Sequence, residues 1–285
     1  VASPERDRAA AEEPVTERFV RRFDAFDRTL HGLLMLSFLG LAATGLPLIF
    51  SDQAWAGAMV SALGSFEVAG WLHRVCATLL IIVFALHLTR LGKRIFVRRD
   101  YSVLWGPSSM VPQPRDVTDL VGHIRWFLGR GPRPSFDRYT YWEKFDYWAV
   151  FWGMGIIGAS GLFLWFPLFF SRFLPGWIFN VALLIHGEEA LLAVGFIFTM
   201  HFFNGHLRPE KFPMDRVIFT GRISEEEMKE ERPDEYARML RTGGFERLRT
   251  DAPPEWLLRF GTVIGTTAVT IGLLLVGLIL YAVLT

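Results

Sequence analysis

The chain has 285 residues, 51% of them hydrophobic and 15% aromatic, with 26 Phe and 10 Trp. With a mean hydropathy of +0.29 this is the make-up of a polytopic membrane protein, and a formal net charge of +1 is no footprint for nucleic acid. The single cysteine, Cys76, excludes an internal disulfide, a c-type haem attachment motif, a local four-cysteine iron–sulfur cluster and a cysteine-rich zinc site, so any bound redox centre must use histidine.

Residues 1–29 are charged and lack the basic-then-apolar layout of a cleaved signal, which reads as a cytoplasmic tail. Five stretches then approach or exceed the ~20 apolar residues of a spanning helix: 30–50, 71–91, 147–167, 180–203 and 258–284. Cytoplasmic flanks carry the Lys and Arg excess. Six Arg precede the first span, and the 92–144 and 204–258 connections hold ten Lys or Arg each, whereas 51–70 has none and 168–179 only Arg172. The N-terminus is therefore expected inside a bacterial inner membrane and the C-terminus on the periplasmic side. Pro47, Trp55, Trp71, Pro167 and Trp177 mark the membrane interface.

The outer connections are short, and the inner ones, 92–144 and 207–257, are about fifty residues each. In the first, 117–129 has the apolar spacing of an amphipathic helix lying on the lipid surface. In the second, Ser224 with Glu227 forms a capping-box pattern that predicts a short helix, and a further helix follows Pro233. Together they predict a plug over the bundle mouth. The last span carries Gly261, Gly265, Gly272 and Gly277 and no ionisable residue after Arg259, which predicts a helix packed on the bundle or on a partner. The fold expected is an all-α membrane protein, a four-helix bundle over 30–206 plus a fifth C-terminal transmembrane helix over 258–285.

Histidines carry the chemistry. His31 lies at the inner end of span one, His73 and His87 in span two, His186 and His201 in span four, and His206 just beyond. On an ideal helix His73 and His87 are ~21 Å apart and ~40° around, and His186 and His201 ~22 Å and ~60°. Spans two and four both run from outside to inside, so histidines gather at two heights. A low-spin haem b needs two neutral axial imidazoles from facing helices, and two stacked haems give electrons a path across the membrane. Spacing alone pairs His87 with His201, and on a straight helix His206 lies ~140° off the face of His201. Arg74 and Arg172 outside, with Arg28, Arg90 and Arg208 inside, are candidate partners for haem propionates or ordinary interfacial anchors. Metal transport is the competing use, but it wants carboxylates or thiols at the same depth, and the acids of span four, Glu188 and Glu189, sit at its outer end.

Residues 18 to 241 carry RTLHG at His31, WLHR at His73, YTYWEKFDYW, LFLWFP, LLIHGEEA at His186, the His201 position and GRISEEEMKEERPDEY. In these it resembles the membrane cytochrome b subunits of respiratory formate dehydrogenases, nickel–iron hydrogenases and thiosulfate reductases, and the related modules that accompany multihaem cytochromes c. The resemblance implies an outer haem b on His73 and His186 and an inner one on His31 and His201. His87, His206 and the fifth span depart from that pattern and leave a third haem open, for example on His87 with His206. It also implies a site for quinone, menaquinone or ubiquinone, near Thr140, Tyr141, Trp142, Glu143 and Lys144, where Glu143 or a non-ligating inner histidine would exchange protons. The partner implied is a periplasmic multihaem cytochrome c or an iron–sulfur subunit of a larger respiratory complex. A haem-binding anchor or assembly subunit without quinone turnover is the alternative.

Overall fold

Among the described residues, five helices of 25 to 32 residues are long and apolar enough to cross a membrane. Helices are the form expected, because in lipid every backbone N–H and C=O must find its partner within the segment. The computed structural model describes residues 17–285, so residues 1–16 of the expected tail lie outside the described residues. In chain order the elements are a strand β1 (Phe19–Arg21), span α1 (Ala25–Ile49), helix α2 (Ala54–Leu63), and span α3 (Phe66–Gly92) with a π-helical extension over Lys93–Val97. Helix α4 (Pro114–Phe127), span α5 (Tyr141–Trp165), the single turn α6 (Pro167–Phe170) and span α7 (Trp177–Phe196) follow. Two π-helical turns, Ile197–His201 and Phe203–Leu207, prolong α7. Then come α8 (Val217–Thr220), β2 (Arg222–Ser224), α9 (Glu225–Glu231), α10 (Pro233–Arg241), α11 (Gly244–Leu248), β3 (Arg249–Thr250) and span α12 (Glu255–Leu284).

The protein is thus an all-α membrane protein with a C-terminal span. Helix α5 starts at Tyr141, six residues before the apolar stretch, because Thr140 caps it and polar first-turn residues are tolerated there. The connection 51–70, expected as a short loop, contains α2.

Helix α1 packs along α3, and α5 along α7, while the two hairpins touch each other sparingly. A slot between hairpins is the result. Helices α1 and α3 come close at Gly40, where a Cβ would lie 2.5 Å from Cys76 Sγ, so the lone cysteine is a packing residue. Span α12 lies outside the hairpins. A Cβ at Gly261 would meet Phe219 at 2.8 Å, and one at Gly272 would meet Phe202 at 2.5 Å and Phe198 at 2.7 Å. Its small residues therefore seat aromatic side chains of the same chain, whereas Gly277 touches nothing.

One end of the bundle carries a cap built from β1 and both long connections. Strand β1 is the centre of a small antiparallel sheet, β2-β1-β3, with Val20 opposite Ile223. Val20, Ile223, Met228, Met239 and Phe245 form its apolar core. Beside this, buried Arg22 donates to Glu235 at 2.7 Å and Arg138 donates to the other oxygen of the same carboxylate at 3.0 Å, tying the N-terminal strand to both connections. Gly221 has φ +74° and a Cβ there would sit 2.5 Å from the Phe23 carbonyl, so glycine is required where the chain doubles back on β1. Ser224 caps α9 by accepting from Glu227 N at 3.2 Å, but the Glu227 carboxylate bonds Lys211 in place of closing the expected box.

Burial alone would raise the Glu235 carboxyl, but Arg22 and Arg138 outweigh it and hold it below the usual carboxylate range. A depressed folded-state value adds stability above the ordinary value, near pH 4, that is lost as pH falls further. Acidification below about pH 4 is therefore expected to speed proteolysis of the cap. Glu235→Gln, which strands buried Arg22, is expected to weaken the cap by about 3–5 kcal/mol at neutral pH by the same measurement. For the fifth span, Gly272→Leu is expected to destabilise its docking by about 2 kcal/mol, read as a lower Tm in detergent, with Gly277→Leu unchanged.

Candidate functional site

Six of the seven histidines sit on α1, α3 and α7. At the end away from the cap, His73 of one hairpin faces His186 of the other, with ring centroids 6.2 Å apart and planes at 71°. Thr44 Oγ donates to the Gly40 carbonyl at 2.7 Å, which leaves its lone pair to accept from His73 Nδ1 at 2.9 Å. His186 Nδ1 donates to the Ile157 carbonyl at 3.0 Å, beside Ser160 Oγ at 3.3 Å. A carbonyl can only accept, so the ring proton sits on Nδ1 and the free lone pair on Nε2. This is how ligating histidines are held. Two imidazoles bound to one metal at about 2 Å have centroids about 6 Å apart, so the spacing fits an axial pair. Glycines make room for both rings: a Cβ at Gly45 would meet His73 at 3.2 Å, and one at Gly161 would meet His186 at 2.9 Å.

At the capped end His201 Nδ1 donates to Asp146 Oδ2 at 3.0 Å. His206 lies with its ring 6.5 Å from that of His201, which corrects the expectation that it leaves the face. The cause is the π-helical backbone over Ile197–His201 and Phe203–Leu207, whose i→i+5 bonding stacks a residue nearly over the one five before it. His31 lies in the second turn of α1, the helix whose start joins the cap through Arg28. His87 is engaged elsewhere: its Nε2 bonds Tyr147 OH at 2.9 Å, its ring packs on Tyr147 and Phe151, and its charged neighbours are Asp27 and Arg90. Among the described residues no three His, Cys, Asp or Glu side chains converge to hold a metal ion.

The remaining candidates divide by their contacts. Arg90 clamps Asp24 at 2.6 Å and Asp27 at 3.1 Å, and that hydrogen bond holds the Asp24 carboxyl down at about 2. Arg28 donates to the carbonyls of Phe219 and Thr220 at 3.1 Å. Both arginines join helix ends, with Arg28 Nε left buried and without a hydrogen-bond partner among the described residues. The Arg74 side chain makes no hydrogen bond or ion pair among the described residues. Glu143 accepts from Thr140 N at 2.8 Å and Thr140 Oγ at 2.9 Å with one oxygen and from Arg232 at 2.8 Å with the other, so its carboxylate is committed to the α5 cap and to Arg232.

Next to Glu143 is a cavity of about 220 Å³, lined by Arg133, Phe136, Thr140, Trp142, Arg208 and Arg232. Arg208 Nε and Arg232 Nη1 are buried there without a hydrogen-bond partner. Lys144 bonds Asp116 at 2.8 Å and pins α4 to α5. His123 of α4 bonds Tyr141 OH at 3.0 Å and stacks on Phe127, and burial, with Arg133 and Arg208, pushes its imidazole below the usual value. Asp146 was not singled out from the sequence, although an acid inside a span is itself a signal.

The site is thus a histidine-lined slot between two hairpins of a multi-pass membrane bundle. No protein-family model matches the chain. It is similar to the cytochrome b556(Fdn) subunit of the nitrate-inducible formate dehydrogenase of Escherichia coli (strain K12), 18% identical over 178 residues, which is 62% of this chain and 73% of the relative. The same subunit in Escherichia coli O157:H7 and Shigella flexneri aligns equally well. This similarity supports a respiratory cytochrome b family without picking out a member.

Proposed function

We propose that the chain is an integral cytochrome b of a bacterial inner membrane, carrying electrons between quinone at its capped, cytoplasmic end and a redox partner at its far, periplasmic end. The observation that carries this reading is the His73–His186 pair, spaced at 6.2 Å with both Nδ1 atoms bonded to oxygen and both Nε2 atoms free. When bound, haem b supplies a one-electron centre between such rings. In this reading His73 and His186 hold the outer haem, and His201 with His31 the inner one. His87 does not ligate, because its Nε2 would first have to release Tyr147. A third haem on His87 and His206 needs the same rearrangement, and two haems is our reading.

The cavity beside Thr140 and Trp142 is the quinone head-group site in this reading. Arg208 Nε and Arg232 Nη1 supply donors for a quinone carbonyl, and Trp142 and Phe136 supply flat apolar walls. Glu143 holds Arg232 in place there, and a menaquinone or ubiquinone ring would meet the guanidinium it orients. The connections at that end are short, one holding α2 and the other α6, which supports a docked subunit as the next electron carrier. The relative is a subunit of a formate dehydrogenase, which supports a place beside catalytic subunits of a complex; an iron–sulfur subunit or a multihaem cytochrome c is the partner in this reading.

Haem counted per chain tests the reading. The purified protein is expected to hold two b haems, His31→Ala to lose one, and His87→Ala to keep both; a protein with no visible absorbance overturns it. Gly161→Val, which drives a side chain into the His186 ring, is expected to lose the outer haem while the low-spin spectrum of the inner one persists.

A further inference from the structure

We infer that Asp146 is a positioning residue that sets the two haems apart: by holding His201 through a carboxylate it lowers the midpoint potential of the inner haem. This deepens the function proposed above and rests on it. The two ends of the slot differ in the acceptors their histidines use. At the far end His73 bonds a threonine hydroxyl and His186 a backbone carbonyl, both neutral. At the capped end His201 bonds a carboxylate.

Asp146 has no other counter-charge. Its side chain is 15% exposed, His201 is the single basic group within ion-pair distance of it among the described residues, and its second oxygen, Oδ1, is buried without a hydrogen-bond partner. A carboxylate inside a membrane span is costly unless a positive group compensates it. With His201 as an iron ligand, that positive charge is the extra one carried by the oxidised haem, and it vanishes on reduction. The carboxylate therefore favours the oxidised state. Accepting the Nδ1 proton also makes His201 a more basic ligand, which acts in the same direction. Span geometry fixes the contact: Asp146 lies on α5 and His201 on the π-helical end of α7, helices of one hairpin that pack along each other.

The test is a redox titration of the full-length protein in detergent, following the α band of each haem, with Asp146→Asn, Asp146→Glu and Thr44→Val. Asparagine keeps an acceptor for His201 and removes the charge. The expected result is that D146N retains both haems and moves one component to higher potential, D146E returns that component towards the wild-type value, and T44V shifts only the other component. If D146N leaves both components unmoved, or moves the two together, the inference is overturned. Should D146N lose a haem, its recovery in D146E supports the inference and its loss in D146E as well overturns it. A wild-type protein without haem would instead overturn the underlying function, so the two failures are distinguishable.

Discussion

In a lipid-filled environment a polar side chain that lacks a partner is expensive, and the slot is organised by how its histidines meet that demand. His73, His186 and His201 each spend Nδ1 on an oxygen from a neighbouring span: Thr44 on α1, Ile157 on α5, Asp146 on α5. One hydrogen bond orients each ring, selects its tautomer and turns Nε2 outward. His87 spends the other nitrogen, on Tyr147, and so belongs to the packing of the slot in place of its chemistry. The fold around these bonds is correspondingly simple. Two tight hairpins with few contacts between them hold the rings at a separation that neither hairpin could define alone.

The capped end uses a different interaction for the same purpose. Charged side chains that would be solvated in isolated loops are buried against one another: Arg22 and Arg138 on Glu235, Lys211 on Asp215 and Glu231, Arg232 on Glu143. Such pairs contribute little net stability but break expensively, which makes the arrangement specific. The N-terminal strand, the α3–α5 connection and the α7–α12 connection thereby become one body, set over the capped-end histidines and the cavity at Trp142.

The five spans were legible from the sequence because apolar length has few alternative explanations, and so was the Ser224 cap of α9, which depends on a neighbour three residues away. The meeting of His73 with His186 follows from matched depths and from the family resemblance. What escaped notice depends on long-range or irregular geometry. Strand β1 is three residues in a stretch that reads as tail, and it exists because Arg222–Ser224 and Arg249–Thr250 flank it. His206 was misplaced by assuming 3.6 residues per turn where the backbone is π-helical. Arg28 and Arg90 looked available for anionic groups, yet carbonyls and carboxylates of the same chain take them first. Glu143 looked like a proton-exchanging group and is a helix cap with an arginine partner.

The docking of α12 bears on how the protein is made. Phe198 and Phe202, which bracket His201, rest on Gly272 of the last span, whereas the far-end pair needs only α1, α3, α5 and the first half of α7. A chain emerges from the ribosome N-terminus first. The far-end pocket can therefore be complete while the final helix is still being synthesised, and the wall behind His201 closes only once that helix has inserted. The order of the chain thus allows the far-end pocket to form first.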